Sequence, residues 1–228
     1  PVRLSTEQWL LGLSSNARFV LALVMGTLAG AGLGALMETS LIRPLYSRIY
    51  YQVLLTLGLS FVGVELVESV WGTIGYYMDI PAFANASGDK CPSPNLWAWF
   101  SDHCQSISVL GRPFPSYRLL IIFLGIAMFI AIALLLKKTR LGIIIRAGVQ
   151  DSEMVQALGI NVRRVFTLVF AVGAALAAAG GVAAAPFLGV NLGLGAEVQL
   201  QGFIAVVIGG MGSYTGAAVG ALLVGLAR

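Results

Sequence analysis

The sequence predicts an all-α protein, a polytopic bundle of transmembrane helices with about five spans, a long external loop and a short cytoplasmic helix. Hydrophobic residues make up 58% of the 228 residues and charged residues only 11%, whereas a soluble domain carries about 25% charged residues. The 28 glycines follow no three-residue period, and no heptad is sustained, which excludes collagen and coiled coil. The composition therefore indicates a single transmembrane domain embedded in a lipid bilayer.

Five apolar runs approach the roughly 20 residues that a spanning helix needs. They cover residues 19–37, 49–71, 119–136, 165–185 and 202–227. Pro186 and the glycine-rich run 189–195 predict a break after the fourth span, and the run 209–213 interrupts the fifth. Irregular backbone at membrane depth either lines a cavity or is buried as a close-packed glycine turn.

The distribution of Lys and Arg predicts the orientation of the spans. Loops 38–48 and 137–164 together hold eight basic residues, whereas stretches 72–117 and 186–201 hold only Lys90 and Arg112. By the positive-inside rule the first two loops are cytoplasmic and 72–117 is external, so the chain starts outside and Arg228 lies inside. Because the basic residues flank spans and do not form a phosphate-tracking stripe, we expect no nucleic-acid partner. The start at Pro1 suggests an internal cut, and thus a fragment.

The external loop 72–117 carries the only two cysteines, Cys91 and Cys104. A disulfide is plausible in an oxidising compartment, the alternative being two free thiols. With His103 they are too few for a structural zinc site, so we expect no metal. Five prolines in this loop predict a folded cap or irregular loop with one short helix, and not another span.

Two tandem motifs place glycine at every fourth residue of the first and last predicted spans. Small residues at this spacing let helix backbones approach closely in lipid. We interpret them as tight packing within the bundle, and not as dimerisation of a single-pass protein. The motifs consist of Gly26, Gly30 and Gly34, and of Gly212, Gly216 and Gly220.

Glu65 and Glu68 share one face of the second span. An intramembrane carboxylate is a functional hypothesis by default, and these two could line a translocation path. However, Glu65 is six residues from Trp71, about 9 Å along the helix, so both side chains could instead reach the outer interface or a water-filled vestibule. Gly209 and Gly210, in the interruption of the fifth span, are further candidates for the path.

The cytoplasmic segment 146–164 predicts a short amphipathic helix. Asp151 or Ser152 caps its start, and Glu153 lies in the first turn, where the helix dipole favours an anion. Gly159 ends the helix with a positive φ. Its apolar face consists of Met154, Ala157 and Leu158. Such a helix suits docking into a partner's groove, or it lies on the lipid surface.

Several short motifs, in order along the chain, resemble those of the permeases of bacterial branched-chain amino-acid ABC importers. Arg43-Pro44 after Glu38 resembles a cytoplasmic Glu-x-x-x-x-Arg-Pro, and Thr56-Leu57-Gly58-Leu59-Ser60 resembles a Thr-Ile/Leu-Gly-Leu-Ser motif. The remaining matches are Arg146-Ala147, Ala157-Leu158-Gly159-Ile160-Asn161, Arg163-Arg164, and the run Val206-Val207-Ile208-Gly209-Gly210-Met211-Gly212-Ser213. Glu153 and Gly159, six apart, are similar to the EAA loop by which importer permeases engage their ATPase. The departures are Glu65 and Glu68, the long external loop, and five spans where family members usually have about eight.

This resemblance implies a permease subunit in the bacterial inner membrane. It would pair with a second, homologous permease, two cytoplasmic ATPase subunits and a periplasmic solute-binding protein, and would move branched-chain or related amino acids, amides or urea. In such a subunit we expect roles for two residue sets, of which Glu65 and Glu68 are proposed from their own chemistry and not from the resemblance. The translocation path would include Thr56, Ser60, Glu65, Glu68, Gly209 and Gly210, and the ATPase contact would include Arg146, Asp151, Glu153, Ala157, Leu158, Gly159, Ile160 and Asn161.

Two other classes of function compete with this interpretation. An ion-coupled transporter or channel acting alone would use Glu65 and Glu68 as its proton or cation site. A membrane-embedded enzyme needs a cluster of polar catalytic side chains inside the bilayer, such as paired acids with a histidine. The only histidine of this sequence lies in the predicted external loop, which argues against an enzyme. The sequence lacks a nucleotide-binding Gly-rich loop ending in Lys-Ser/Thr. We therefore expect no catalytic residues and no cofactor in this chain, with ATP hydrolysis on a partner.

Overall fold

The computed structural model describes residues 15–46, 48–73, 75, 106–109, 112–210 and 213–227. Within them, four helical stretches are long and apolar enough to cross a membrane: Ala17–Leu45, Tyr50–Trp71, Tyr117–Lys138 and Val162–Leu188. These stretches overlap the first four predicted spans, so the all-α polytopic class is confirmed. The described α-helices are α1 Ser15–Met37, α2 Ile49–Trp71, α3 Ser116–Lys138, α4 Arg140–Gln150, α5 Ser152–Ala157, α6 Val162–Leu188, α7 Gly193–Gly209 and α8 Tyr214–Leu226.

The prediction of a loop at residues 38–48 is wrong for most of its length. A π-helical turn, Glu38–Ile42, and a 3₁₀ turn, Arg43–Leu45, continue α1 without leaving helical backbone. Pro44 lies at the start of the 3₁₀ turn, and its missing N–H removes one hydrogen bond of a continuing α-helix at the point where the helix tightens. The chain thus stays helical through the Arg-Pro pair, and Glu38 lies near the C-terminal end of a long helix.

Helices α1 and α6 pack antiparallel through the first glycine motif. An added Cβ at Gly30 would lie 2.5 Å from the Cβ of Ala178 and 2.9 Å from the carbonyl oxygen of Ala174. Such distances leave no room for any side chain larger than hydrogen. The facing pairs are Gly26 with Val182, Gly30 with Ala178, and Gly34 with Ala174. The interpretation of this motif as close packing within the bundle is confirmed.

The chain divides into two compact units, residues 1–62 with 77–189, and residues 63–76 with 190–228. In the second unit, the predicted interruption at 209–213 is confirmed, but the predicted fifth span 202–227 is two separate helices and not one. Helix α7 ends at Gly209, Gly210 has φ +88°, and α8 begins after Ser213, whose hydroxyl oxygen accepts from the N–H of Gly216 at 3.1 Å. At 1.5 Å per residue the two helices are about 25 and 20 Å long, each shorter than the ~30 Å hydrocarbon core.

Glycine explains why α7 and α8 form a helical hairpin. An added Cβ at Gly216 would lie 1.9 Å from the carbonyl oxygen of Gly209, and one at Gly220 would lie 2.2 Å from that of Ala205. The second glycine motif therefore packs one helix of this hairpin against the other. Gly212 lies outside the described residues.

The break after α6 occurs at Gly189 and not at Pro186. The helix runs through Pro186 to Leu188, and Gly189 then takes φ +72°. A proline in the last turn removes one N–H without preventing the helix from closing. The positive φ at Gly189, which glycine adopts readily, is what ends it.

The described part of the predicted external loop contains a β-hairpin, where the sequence predicted a folded cap or irregular loop with one short helix. Strand β1, Ser106–Val109, pairs antiparallel with β2, Arg112–Pro115, with Ser106 opposite Pro115. Each of the two strands has an unpaired edge, and edge strands tolerate proline because no partner needs its missing N–H. The hairpin leads directly into α3.

The predicted disulfide between Cys91 and Cys104 lies outside the described residues and stays a prediction. We expect neither thiol to react with an alkylating reagent in unreduced membranes, and both to react after reduction, as measured by intact mass. Cys91→Ser is the matched control, because it should free the thiol of Cys104. Two alkylated thiols in the unreduced wild-type protein would contradict the prediction.

Candidate functional site

The candidate contact segment, which the sequence predicted to be cytoplasmic, consists of α4, α5 and the turn that leads into α6. Thr139 caps α4, its side-chain oxygen accepting from the N–H of Gly142 at 3.4 Å. The Nε of Arg146 donates to the carbonyl oxygen of Gly142 at 3.2 Å, and its Nη2 to that of Leu136 at 3.5 Å. Arg146 therefore braces the end of α3 against α4, a local role that the sequence did not predict for it.

Asp151 begins the short helix α5, as predicted. Its Oδ1 accepts from the N–H of Met154 at 2.9 Å, which satisfies one of the free donors of the first turn. The side chains of Ser152 and Glu153 lie outside what the structure describes, so the predicted role of Glu153 stays a prediction.

Gly159 ends α5 in a Schellman motif. The N–H of Ile160 donates to the carbonyl oxygen of Val155 at 3.3 Å, and the N–H of Gly159 to that of Gln156 at 2.9 Å. Gly159 has φ +81°, a conformation that this motif requires and that glycine adopts readily. The predicted positive φ is confirmed, and the helix is fixed at both ends.

The predicted apolar face of α5 is exposed in this chain. Met154 is 64% exposed and Leu158 73%, and Ala157 is exposed beside them. Val155, which the sequence did not single out, is instead buried at 5% exposure. The helix thus has an inner side that holds it to its own chain and an outer apolar side. Asn161 follows as the cap of α6, its Oδ1 accepting from the N–H of Arg164 at 3.2 Å.

The candidate path residues on α2 make local hydrogen bonds. The hydroxyl of Thr56 donates to the carbonyl oxygen of Val53 at 2.9 Å, and that of Ser60 to Leu57 at 2.7 Å. Glu65 is exposed. Each hydroxyl is therefore satisfied by its own helix, as is common for a spanning segment, and their place on a path remains a prediction.

Gly209 and Gly210 form the tight end of the α7–α8 hairpin. An added Cβ at Gly209 would lie 2.2 Å from the carbonyl oxygen of Gly216. This contact favours the close-packed glycine turn over a solute-lined cavity at Gly209.

Glu38 is a buried acidic residue that the sequence singled out only as part of a motif. It is 1% exposed, and it accepts hydrogen bonds from the hydroxyls of Tyr46 and Thr167. Burial is the main cause that raises the pKa of the Tyr46 hydroxyl above its usual range. The hydrogen bond to Glu38 and the negative charge of the Glu38 carboxylate raise the pKa of Tyr46 further. Glu38 directly follows the apolar run 19–37, and in the structure it lies within the spanning stretch Ala17–Leu45. Ionisable residues within spans are often functional, so an acidic residue at the edge of the run was a usable signal.

A cleft of about 440 Å³ opens beside Glu38, between the end of α1 and the start of α6. Its walls are mostly apolar, and the ring of Tyr46 meets that of Phe166 edge to face, with 6.0 Å between centroids. The lining residues are Glu38, Ile42, Tyr46, Gln52, Phe166, Val169 and Phe170. Among the described residues, no group of three or more His, Cys, Asp or Glu side chains could hold a metal ion.

Known proteins resemble this chain in sequence. The high-affinity branched-chain amino acid transport system permease protein LivH of Escherichia coli is 35% identical over 131 residues, which are 57% of this chain and 42% of the relative. LivH of Salmonella typhimurium is 40% identical over 100 residues, 43% of this chain and 32% of the relative. BraD of Pseudomonas aeruginosa, named as the same kind of permease, is 39% identical over 122 residues, 53% of this chain and 40% of the relative.

The chain thus spans about a third to two fifths of the length of these relatives. No solved structure was found to match it. The model of one protein family, described as the branched-chain amino acid transport system permease component, matches residues 4–228. This match covers nearly the whole chain and includes the capped helix α5 and the buried Glu38. The chain belongs to the branched-chain amino acid transport system permease family.

Proposed function

We propose that this chain is the membrane-spanning part of a permease subunit in an ATP-driven importer of branched-chain or related amino acids. The bacterial inner membrane is its proposed location. Its relatives are named as permeases for branched-chain amino acids, and its family supports the same role. The observation that carries the proposal furthest is α5, a short helix that is capped at both ends and presents Met154 and Leu158 outward.

In the proposed assembly, this permease pairs with a second, homologous permease, two cytoplasmic ATPase subunits and a periplasmic solute-binding protein. Helix α5 occupies a groove on one ATPase, where its exposed apolar side becomes buried. Movement of the ATPase on nucleotide binding shifts α5, and α6 moves with it because only the capped turn at Gly159–Asn161 separates them. The permease performs no covalent chemistry. It opens the solute path alternately to each side of the membrane.

Co-purification tests this proposal directly. The full-length, tagged protein is extracted from its native membrane in mild detergent, and the captured material is assayed for ATP hydrolysis and identified by mass spectrometry. We expect an ATPase subunit to be retained, and reconstituted vesicles to take up L-leucine, L-isoleucine or L-valine only with ATP and a binding protein. An unrelated multi-span protein with the same tag is the control.

The competing function makes a different prediction in the same experiment. An ion-coupled transporter would be captured without an ATPase, and would accumulate solute in vesicles on an imposed proton or sodium gradient alone. That result would contradict the importer proposal.

A further inference from the structure

Glu38 joins the cytoplasmic end of α1 to the start of α6. Both of its carboxylate oxygens accept from hydroxyls, one from Tyr46 eight residues ahead in the chain and one from Thr167 on α6. A carboxylate is costly to bury unless its oxygens accept hydrogen bonds, and bonds to a charged acceptor are stronger than neutral ones. The contact therefore holds two spanning helices together at one polar point.

Glu38 is also connected, through neighbouring residues, to the segment that we propose to meet the ATPase. Helix α4 approaches α6 at Gly148, where an added Cβ would lie 3.6 Å from Val162 and 3.9 Å from the ring of Phe166. The ring of Phe166 meets that of Tyr46 edge to face, at 6.0 Å between centroids. Tyr46 in turn donates to Glu38. Gly148 of α4 thus faces the ring of Phe166, which packs against Tyr46, the donor to the Glu38 carboxylate.

Thr167 has two acceptors within reach, which gives the contact an alternative state. Its hydroxyl donates to Glu38, and the same oxygen lies 3.0 Å from the carbonyl oxygen of Arg163 on its own helix. A hydroxyl has one hydrogen to donate. If α1 and α6 separate here, the hydroxyl of Thr167 can still donate to the carbonyl oxygen of Arg163 within α6. The free-energy cost of losing the hydrogen bond then falls mainly on the Glu38 carboxylate.

The local backbone of α1 also allows movement at this point. Glu38 is the first residue of a π-helical turn, Glu38–Ile42, and such turns occur frequently at functional positions in helices. The cleft beside it, of about 440 Å³, provides space into which the apolar side chains of α1 and α6 can shift. Rearrangement here does not require the glycine-packed part of the two helices to come apart.

We propose that Glu38 is the positioning residue through which the cytoplasmic contact segment acts on α1: its bonds to Tyr46 and Thr167 transmit the movement of α4 and α6 to the first described span. This inference rests on the proposed function, because it assumes that an ATPase moves the segment. It goes further in naming the residue that links the movement to a span. Glu38 itself need not touch the solute.

The experiment removes the hydroxyls one at a time from the full-length protein in the assembled transporter. Thr167→Val keeps the shape of the side chain and removes its donor, whereas Thr167→Ser keeps the donor and serves as the matched control. Tyr46→Phe removes the other donor and keeps the ring on Phe166. Four quantities are measured: ATPase capture, basal ATP hydrolysis, the rise in hydrolysis when leucine-loaded binding protein is added, and the uptake of L-leucine by reconstituted vesicles.

We expect Thr167→Val and Tyr46→Phe to capture the ATPase and hydrolyse ATP at the wild-type basal rate. The rise in hydrolysis and the uptake of L-leucine should fall roughly tenfold, the factor that corresponds to one hydrogen bond to a charged group. Thr167→Ser should behave as wild type. A merely stabilising role would lower the amount of folded protein and leave the ratio of stimulated to basal hydrolysis unchanged.

The outcomes separate this inference from the proposed function. If Thr167→Val and Tyr46→Phe keep the wild-type ratio, or if Thr167→Ser loses as much as Thr167→Val, the role of Glu38 is overturned while the importer stands. If the wild-type protein captures no ATPase, the proposed function fails, and the inference fails with it. Glu38→Gln, combined with Thr167→Val, should cost no more than the larger single loss, because both act at one contact.

Discussion

Gly30→Ala lowers the free energy of unfolding by about 1–3 kcal/mol, the usual cost of adding a methyl group to a closely packed contact. The new Cβ would lie 2.5 Å from the Cβ of Ala178 and 2.9 Å from the carbonyl oxygen of Ala174. The second neighbour is backbone, so the clash is relieved only if α1 and α6 move apart. Thermal unfolding in detergent, followed by circular dichroism, measures the effect as a lower Tm.

Gly32→Ala is the matched control two residues away on the same helix. Nothing lies within 4 Å of an added Cβ there, and replacing glycine by alanine in an open helical position stabilises by about 0.4–1 kcal/mol. The two variants should therefore shift Tm in opposite directions. Equal shifts would show that helix propensity, and not the contact between α1 and α6, determines the effect.

The sequence predicted the parts of the fold that depend on local patterns. Of the five apolar runs that predicted spans, the first four coincide with long apolar helices in the structure, because a helix must satisfy its own backbone in lipid. Glycine at every fourth residue predicted a close contact, since these positions share one helix face. The pattern could not identify the partner helix, and the structure shows Ala174 and Ala178 on α6 in that place.

The parts that the sequence missed depend on contacts between distant residues or on backbone geometry. Thr167 donates to Glu38 across 129 positions of the chain, and no local pattern indicates such a pairing. The glycines at 209–213 predicted an interruption of the fifth span, but hydropathy did not show that the first of the two separate helices begins as early as Gly193. The helical turn at 38–45 was missed because Arg-Pro is typical of loops.

The candidate contact helix was predicted well because its signals are local. Asp151 caps the start of the helix, and Gly159 ends it in the left-handed conformation. Both roles depend on hydrogen bonds within one or two turns. Arg146 was assigned to the ATPase contact on resemblance alone. Its bonds to Gly142 and Leu136 also place it among the residues that shape the segment, and its contact with the ATPase stays a prediction.

Leu158→Asp is expected to abolish capture of the ATPase by the assembled permease. Leu158 is 73% exposed on the outer side of α5, so the change leaves the fold of this chain intact. An unpaired charge buried in an interface costs about 2–5 kcal/mol, which weakens association at least ~30-fold. Leu158→Met, which keeps an apolar side chain of similar volume, should retain the ATPase.

Gly159→Val tests the same contact through the backbone. Gly159 has φ +81°, and nothing lies within 4 Å of an added Cβ, so strain and not crowding is what the substitution introduces. A residue with a branched side chain is unfavourable there by roughly 1–2 kcal/mol, and the Schellman motif that directs the chain from α5 into α6 should open. Gly159→Asn is the control, since Asn tolerates the left-handed conformation.

Capture of the ATPase from detergent extracts distinguishes a docked helix from one that lies on lipid. For a docked helix, Leu158→Asp and Gly159→Val insert normally, lose the ATPase and lose solute-stimulated hydrolysis, while both controls keep them. For a helix on the lipid surface, Leu158→Asp weakens contact with the membrane and leaves the ATPase bound. Wild-type capture and coupled hydrolysis in both variants would show that α5 is not the contact, because neither a charge on its outer side nor a strained end would then matter.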